Sequence, residues 1–143
     1  MLVGGLLSVA GVEPRFVTPI AAIAGSGLAA ATLGLNVSAS NLANANDTSA
    51  PGSKSAYAPR GVSQSPTSGG GVSAQVATLK SAQLLVYDPA SPVAGVSGMV
   101  QTPEIDPIDE ISNQMAAGHA FSFSLEALKA ADDEQKQLLD LKA

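Results

Sequence analysis

Residues 21–46, AAIAGSGLAAATLGLNVSASNLANAN, decide the fold of this chain. Apolar or small residues recur here at alternating steps of three and four, a spacing that forms a heptad seam along one side of a helix. Thr18 and Pro19 suit the start of such a helix, and the turn-forming run 46–52, NDTSAPG, suits its end. The pattern predicts one long helix over residues 19–45. The seam positions are Ala21, Ala24, Leu28, Ala31, Leu35, Ser38, Leu42 and Ala45.

A second long helix is predicted at the other end of the chain. Asp106 suits the cap position and Pro107 the first helical position, and Asp109 and Glu110 suit the positive end of the helix. About 35 helical residues give a length of roughly 50 Å, which exceeds the need of a compact domain of this size. We therefore interpret the helix as a packing element of an assembly. Its apolar or small positions are Ile108, Ile111, Met115, Gly118, Ser122 and Leu125.

Between the helices, residues 46–102 are rich in Gly, Pro, Ser and Thr. Residues 72–79, 84–87 and 99–102 are predicted to be short strands, whereas residues 53–71 are predicted to be mobile. The predicted fold class is mainly α with a small β or loop middle. In it, the N- and C-terminal helices pack as an antiparallel coiled-coil-like pair, with a short irregular or β insertion between them.

This pattern divides the chain into four parts. We assign residues 1–18 to an apolar flexible leader, 19–46 to the N-terminal helix of a helical core, 47–103 to the Gly-, Pro- and Ser-rich loop and short-strand region, and 104–143 to the C-terminal helix of the core. The leader is too short to span a membrane. It lacks the basic region of a secretory signal, although the small residues around Ala10 leave that interpretation open.

The amino-acid composition limits the size of the hydrophobic core that the chain can form by itself. Of its 143 residues, 45% are apolar, but much of this share is Ala and Gly, and there are two Tyr, three Phe and no Trp. Such a chain cannot fill a thick core with large side chains, so we expect part of its apolar burial to occur between subunits. The net charge is −5, with nine of the twelve acidic residues from Glu104 onward, which argues against nucleic acid as a partner.

The sequence contains no recognisable catalytic or metal-binding constellation. His119 is the single histidine and there is no cysteine, so neither a second imidazole nor a thiolate can complete a metal site. The neighbouring acids Asp109 and Glu110 point about 100° apart on a helix and do not form a facing acid and base. We predict no enzymatic activity, no cofactor and no small-molecule substrate. An enzyme would instead need a pocket with clustered titratable groups.

Asn41 and Asn44 are unusual inside a predicted helix, because Asn favours helix ends and turns. One interpretation is simple helix termination. The other is that their amides bond carbonyl groups of neighbouring helices and fix the register of the assembly. We predict an assembly interface made of Leu28, Leu35, Asn41, Leu42, Asn44, Ile108, Ile111, Met115 and Leu125.

Residues 28–46, LAAATLGLNVSASNLANAN, resemble the N-terminal signature of bacterial flagellar rod and hook proteins, in which a helix ends in a motif of the form SNLAN-A-N-T. Thr48, Pro51 and Gly52 follow in the expected turn. Further on, residues 85–89 (LVYDP) and 103–105 (PEI) resemble the middle of the short proximal rod subunit of the C type. The resemblance covers about residues 20–143.

This resemblance implies a structural subunit of the flagellar basal-body rod that polymerises through its terminal helices into the proximal part of the torque-transmitting axial shaft. It implies copies of itself, other rod subunits, and membrane-ring and export-gate components as partners. It also implies location in the periplasmic space after type III export without a cleaved signal peptide. The alternatives are a B-type proximal or a distal rod subunit, or a soluble coiled-coil adaptor or chaperone.

Overall fold

The computed structural model describes residues 17–79 and 83–141, with side chains from residue 20 onward. Most of the predicted leader, residues 1–18, therefore lies outside the described residues. Two helices enclose four strands in chain order. The elements are α1 (Val17–Ala43), β1 (Arg60–Pro66), β2 (Val72–Thr78), β3 (Gln83–Tyr87), β4 (Met99–Pro103) and α2 (Pro107–Asp140).

The predicted fold class, mainly α with a coiled-coil-like helix pair, is wrong. The protein is mixed α/β, and its strands form two separate two-stranded antiparallel sheets, β1–β2 and β3–β4. Residues 53–71, predicted to be mobile, contain the whole of β1. Most of β1 is solvent-exposed, so its sequence, RGVSQSP, lacks the apolar alternation that marks a half-buried strand. The three predicted strands are present, each with one end shifted by one residue.

Helix α1 begins at Val17, so that Thr18 and Pro19 lie inside its first turn and not at a cap. It ends at Ala43, two residues before the predicted end, where the Asn44 N–H donates to the carbonyl oxygens of Ser40 and Asn41. The buried residues of α1 are small or medium in size, which allows other backbone to approach closely. They are Ala24, Ala30, Ala31, Val37, Ser38 and Asn41.

The two helices meet at three points spaced seven residues apart. A Cβ built on Gly27 would lie 2.5 Å from Ser124 Oγ, and one built on Gly34 would lie 3.4 Å from the Ala117 Cβ. At the third point, Asn41 Nδ2 donates to Glu110 Oε1 over 2.7 Å. The partner numbers fall as the α1 numbers rise, so the helices run antiparallel. Glycine and alanine at the contacts let them pack closely.

The start of α2 matches the sequence prediction. Asp106 has an extended backbone conformation and its Oδ1 accepts a hydrogen bond from the Ile108 N–H over 2.8 Å, with Pro107 as the first helical residue. Near the other end, Lys136 pairs with Asp132 over 2.6 Å on the exposed surface. This hydrogen bond and the negative charge of Asp132 raise the pKa of Lys136, but an exposed ion pair of this kind adds little to stability.

The two sheets are attached in different ways. The β1–β2 hairpin packs on α1, and the Val72 N–H donates to Ser26 Oγ over 3.1 Å. The β3–β4 sheet is joined to the loop after α1, where Ser49 and Gln101 exchange two backbone hydrogen bonds. The β1–β2 hairpin therefore covers one side of the helix pair, and β3–β4 forms a separate arm.

Candidate assembly surfaces and the Asn41 cluster

Asn41 occupies the centre of a polar cluster at the end of α1. Its side chain is 1% exposed. Its Nδ2 donates to the Arg60 carbonyl oxygen over 2.8 Å, and its Oδ1 accepts from the Arg60 N–H over 3.1 Å. The amide thus pairs with both backbone groups at the first residue of β1, as another strand would. Because Nδ2 also donates to Glu110 and the Tyr57 hydroxyl donates to Oδ1 over 2.8 Å, one side chain joins α1, β1 and α2.

A second layer of contacts supports this cluster. Ser40 Oγ lies 3.1 Å from the Tyr57 hydroxyl and accepts from Arg60 Nη2 over 2.8 Å. The Arg60 guanidinium lies 6.0 Å from the centre of the Tyr57 ring, within the range of a cation–π contact. Sequence reasoning missed Tyr57 and Arg60 and treated Glu110 only as a helix-end charge. No local pattern marks these residues, because they meet Asn41 only through the tertiary fold.

Asn44 has a different environment. Its Nδ2 donates to the Ser40 carbonyl oxygen over 2.7 Å, and the same oxygen also accepts from the Asn44 N–H, so the side chain adds a second hydrogen bond in the last turn of α1. Asn44 therefore terminates the helix, as one interpretation of the sequence held. Asn41 does bond a carbonyl of another element, but that carbonyl belongs to β1 of the same chain. A role for either residue in contacts between subunits stays a prediction.

The apolar residues predicted for the interface are half-buried or exposed, and none is fully buried within the chain. Leu28, Leu35, Leu42 and Leu125 are half-buried. Ile108, Ile111 and Met115 are 73%, 48% and 63% exposed. Of the small members of the predicted α1 seam, Ala24, Ala31 and Ser38 are buried, whereas Ala21 and Ala45 are half-buried like the leucines.

Helix geometry places two rows of residues, one on α1 and one on α2, on the same side of the helix pair. Leu28, Leu35 and Leu42 each follow an α1 contact position by one residue, and Ile111, Gly118 and Leu125 each follow an α2 contact position by one residue. A step of one residue turns the side-chain direction by about 100° around the helix axis. In an antiparallel pair, equal rotations on the two helices lead to the same side. We call the surface formed by these six residues the open side.

The β1–β2 hairpin lies on the opposite side of the pair. A groove of about 670 Å³ lies between the hairpin and the helices. Several of the helix residues that line it follow a contact position by three residues. They are Ala30 and Val37 on α1, and Asn113 and Ala120 on α2. A step of three residues turns the side-chain direction by about 300° around the helix axis, which equals about 60° in the opposite direction. The hairpin thus covers the side away from the six residues of the open side.

A third surface faces away from α1. Ile108 and Met115 each precede a contact position by two residues, which turns them about 160° from the contact. We call these two residues the back of α2. Since both are mostly exposed, the chain's own described residues bury little of the apolar surface there.

Helix α1 is apolar along its whole length. By length and composition alone, its segment Ile20–Ala43 could cross a membrane, although that is weak evidence for a membrane span. Only 22% of its most apolar window is buried inside the chain. Much of its apolar surface is therefore available for contact with other molecules.

The described residues contain no group of three His, Asp or Glu side chains that could hold a metal ion. His119 is exposed, and the centre of its ring lies 6.5 Å from that of Phe123. In the groove under the hairpin, the Glu110 carboxylate bonds Asn41, and most of the other lining residues are small or apolar.

Comparison with known proteins identifies the family. No family model matches the chain. Over 124 residues it is 35% identical to the flagellar basal-body rod protein FlgC of Salmonella typhimurium, an alignment that covers 83% of this chain and 92% of that protein. FlgC of Escherichia coli O157:H7 is 34% identical over 83% of this chain and 92% of its own length. FlgC of Buchnera aphidicola is 33% identical over 76% of this chain and 85% of its own length. These relatives confirm the resemblance carried by the SNLANAN motif, and the chain belongs to the FlgC family of flagellar basal-body rod proteins.

Proposed function

We propose that the chain is a structural subunit of the proximal rod and polymerises through the outer surfaces of its two terminal helices. The proposed interface contains the residues predicted from the sequence. The open side contributes Leu28, Leu35, Leu42, Ile111 and Leu125, and the back of α2 contributes Ile108 and Met115. Asn41 and Asn44 hold the end of α1 beside these surfaces.

The observation that carries this proposal is that small residues form the closest contacts between the helices, while large apolar residues remain partly or mostly exposed. The closest contacts between the helices are at Gly27 and Gly34, opposite Ser124 and Ala117, while Ile108, Ile111 and Met115 of α2 are left exposed and the leucines of α1 half-buried. Full burial of one such large side chain stabilises a protein by roughly 1.5–3 kcal/mol, a gain that exposed residues make only when a partner covers them. Exposed apolar patches of this kind mark interaction surfaces.

The Asn41 cluster supports the mechanical part of the proposal. A shaft that transmits torque needs subunits that do not shear internally. Asn41 connects three elements through side-chain bonds, and α1 and α2 approach each other closely at Gly27 and Gly34. The subunit therefore presents its outer surfaces in one fixed arrangement.

Membership of the family supports the finer features of the proposal. We propose that the subunit has no enzymatic activity, that its partners include membrane-ring and export-gate components besides other rod subunits, and that it resides in the periplasmic space. We also propose export through the flagellar type III pathway without a cleaved signal peptide. A chain that buries little of its apolar surface by itself suits this route, because a marginal monomer unfolds easily before export.

Substitution of Met115 by Asp tests the proposal. Met115 is 63% exposed, so Asp should hardly change the fold of the isolated chain, but it would place a charge in the apolar interface. We expect the variant to be lost from purified basal bodies and the cells to lose motility. The matched control is Gln75→Asp, which adds the same charge on an exposed position of β2. Normal incorporation and motility of Met115→Asp would count against assembly through this surface.

A further inference from the structure

We infer that the outer edge of β3 is a docking site for an extended segment of a different protein chain, which adds a third strand to the β3–β4 sheet. The inference rests on the proposed function, because the partner strand belongs to the rod, but it concerns the arm formed by this sheet and not the helices. Main-chain hydrogen bonds hold the partner strand, and apolar side chains on both faces of the arm pack against it.

The backbone of β3 directs hydrogen-bonding groups away from β4. In the antiparallel register, Leu85 lies opposite Gln101, and Gln101 uses its N–H and its carbonyl oxygen to bond Ser49 on the other side of β4. Residues of an antiparallel pair alternate between bonded and non-bonded positions. Leu85 therefore occupies a non-bonded position, and its own N–H and carbonyl oxygen point away from β4.

Tyr87 has the same orientation. It lies opposite Met99, whose carbonyl oxygen accepts from the Gly95 N–H and is thus directed away from β3. Among the residues that the structure describes, no backbone hydrogen bond from outside the sheet reaches Leu85 or Tyr87. Two donors and two acceptors thus line this edge at alternate residues, which is the pattern that the backbone of another strand matches.

The side chains of β3 make both faces of the arm apolar. Leu84 and Val86 lie on one face and Leu85 and Tyr87 on the other, and all four are between 44% and 68% exposed. Edge strands in natural proteins are commonly protected by charged residues or proline, and Gln83–Tyr87 contains neither. An exposed apolar edge without such protection is a template for pairing with another chain.

Charges at the two ends of the edge indicate the chemistry of the partner strand. Asp88 follows β3 directly, and Glu104 follows Pro103, which lies opposite Gln83 at the other end. Both acids are exposed, and neither forms an ion pair with another described residue. A segment as long as β3, uncharged and mainly apolar, with a basic residue at either end, complements this edge. A second copy's β3 would instead bring the acid Asp88 to one of these ends.

Hydrogen–deuterium exchange tests the pairing on the unsubstituted chain. In the purified chain, the amides of Leu85 and Tyr87 should exchange rapidly, and those of Leu84 and Val86, which face β4, more slowly. In purified basal bodies, we expect exchange at Leu85 and Tyr87 to slow at least about 100-fold, because a bonded amide exchanges only when the bond opens. Equal rates at these two amides in both states would overturn the inference.

Proline substitution separates main-chain pairing from simple apolar contact. Leu85→Pro removes an N–H that β4 does not use, and proline is tolerated on an edge strand in that orientation. We expect incorporation into basal bodies to fall at least about tenfold. The matched control, Leu85→Val, keeps the N–H and an apolar side chain and should incorporate normally.

Slow exchange at Val86 in the purified proline variant verifies that β3 still pairs with β4. With this pairing intact, equal incorporation of Leu85→Pro and Leu85→Val would contradict a main-chain bond at Leu85. If the substitution opens the sheet, the exchange comparison on the unsubstituted chain decides the question.

Two further outcomes identify other errors. Protection of Leu85 and Tyr87 that develops in the purified chain as its concentration rises would mean pairing between copies, and it would overturn the choice of partner. Absence of the tagged, unsubstituted chain from basal bodies would instead contradict the rod function on which the inference rests.

Discussion

Replacement of Asn41 by Ala is the substitution that best separates the polar cluster from ordinary helix termination. The change removes two hydrogen bonds to the backbone of Arg60, one to Glu110 and one from Tyr57. It also leaves the edge of β1 without the amide that pairs with it. Because Asn41 is nearly fully buried, its lost contacts are not replaced at that position by bulk water.

The expected loss follows from these four bonds. A hydrogen bond contributes about 0.5–1.5 kcal/mol net to stability, and a buried group left without its partner costs more. Glu110 and Arg60 lie closer to solvent than Asn41 and regain some bonds to water. We therefore expect the free energy of unfolding to fall by about 2–4 kcal/mol. For a chain of this length, this corresponds to a decrease in Tm of roughly 6–12 °C.

Urea and thermal unfolding of the purified chain, followed by far-UV circular dichroism, measure this loss. Asn44→Ala is the matched control, since it removes the same side chain three residues later but only one hydrogen bond, to Ser40. We expect it to cost less than about 1 kcal/mol. If Asn41→Ala were no more destabilising than Asn44→Ala, the cluster would not hold the three elements together.

Three further substitutions have definite expected outcomes. Gly98 has a φ of +71°, and a Cβ built on it would lie 2.8 Å from Tyr87 Cε2, so Gly98→Ala should destabilise the β3–β4 sheet by about 1–3 kcal/mol, seen as faster hydrogen exchange in β3. Gly118→Ala should stabilise the isolated chain by up to about 1 kcal/mol, because Ala is the better helix former and the added methyl group meets no other atom within 4 Å. It should reduce incorporation into basal bodies, because the methyl group projects from the open side; equal incorporation would count against assembly through the open side. His119→Ala should leave motility unchanged in a swimming assay, and loss of motility with normal rod assembly would point to a chemical role for the imidazole.

Local chemistry explains which elements could be predicted. Asp106 and Pro107 identify the start of α2, because capping and a fixed proline φ depend only on neighbouring residues. Strand β1 could not be found in this way. Its sequence has no apolar alternation, and its edges are paired by β2 on one side and by the Asn41 amide at Arg60 on the other. Strand β2 follows β1 closely in the chain, but Asn41 meets Arg60 only through the tertiary fold, and the sequence of β1 itself does not indicate a strand. The mixed α/β class could therefore not be predicted from this segment.

The contact between the helices is a second feature that the sequence pattern could not predict. A three-and-four spacing predicts that α1 has an apolar side, but α1 is apolar around most of its circumference, and the spacing does not decide which stripe meets α2. Leu28, Leu35 and Leu42 belong to the predicted seam, but they are not at the points where the two helices approach most closely. Gly27 and Gly34 lie there instead, because the absence of a side chain permits the closer approach. The leucines are thereby displaced to the open side.

The most direct test of the central claim measures whether the outer apolar surface of the helices becomes covered in the rod. A Met115→Cys variant would be labelled with a maleimide as the free chain and within intact purified basal bodies, with a denatured sample to give full labelling. We predict rapid labelling of the free chain, since Met115 is 63% exposed, and strong protection in basal bodies. Equal labelling rates in the two states would contradict assembly through this surface.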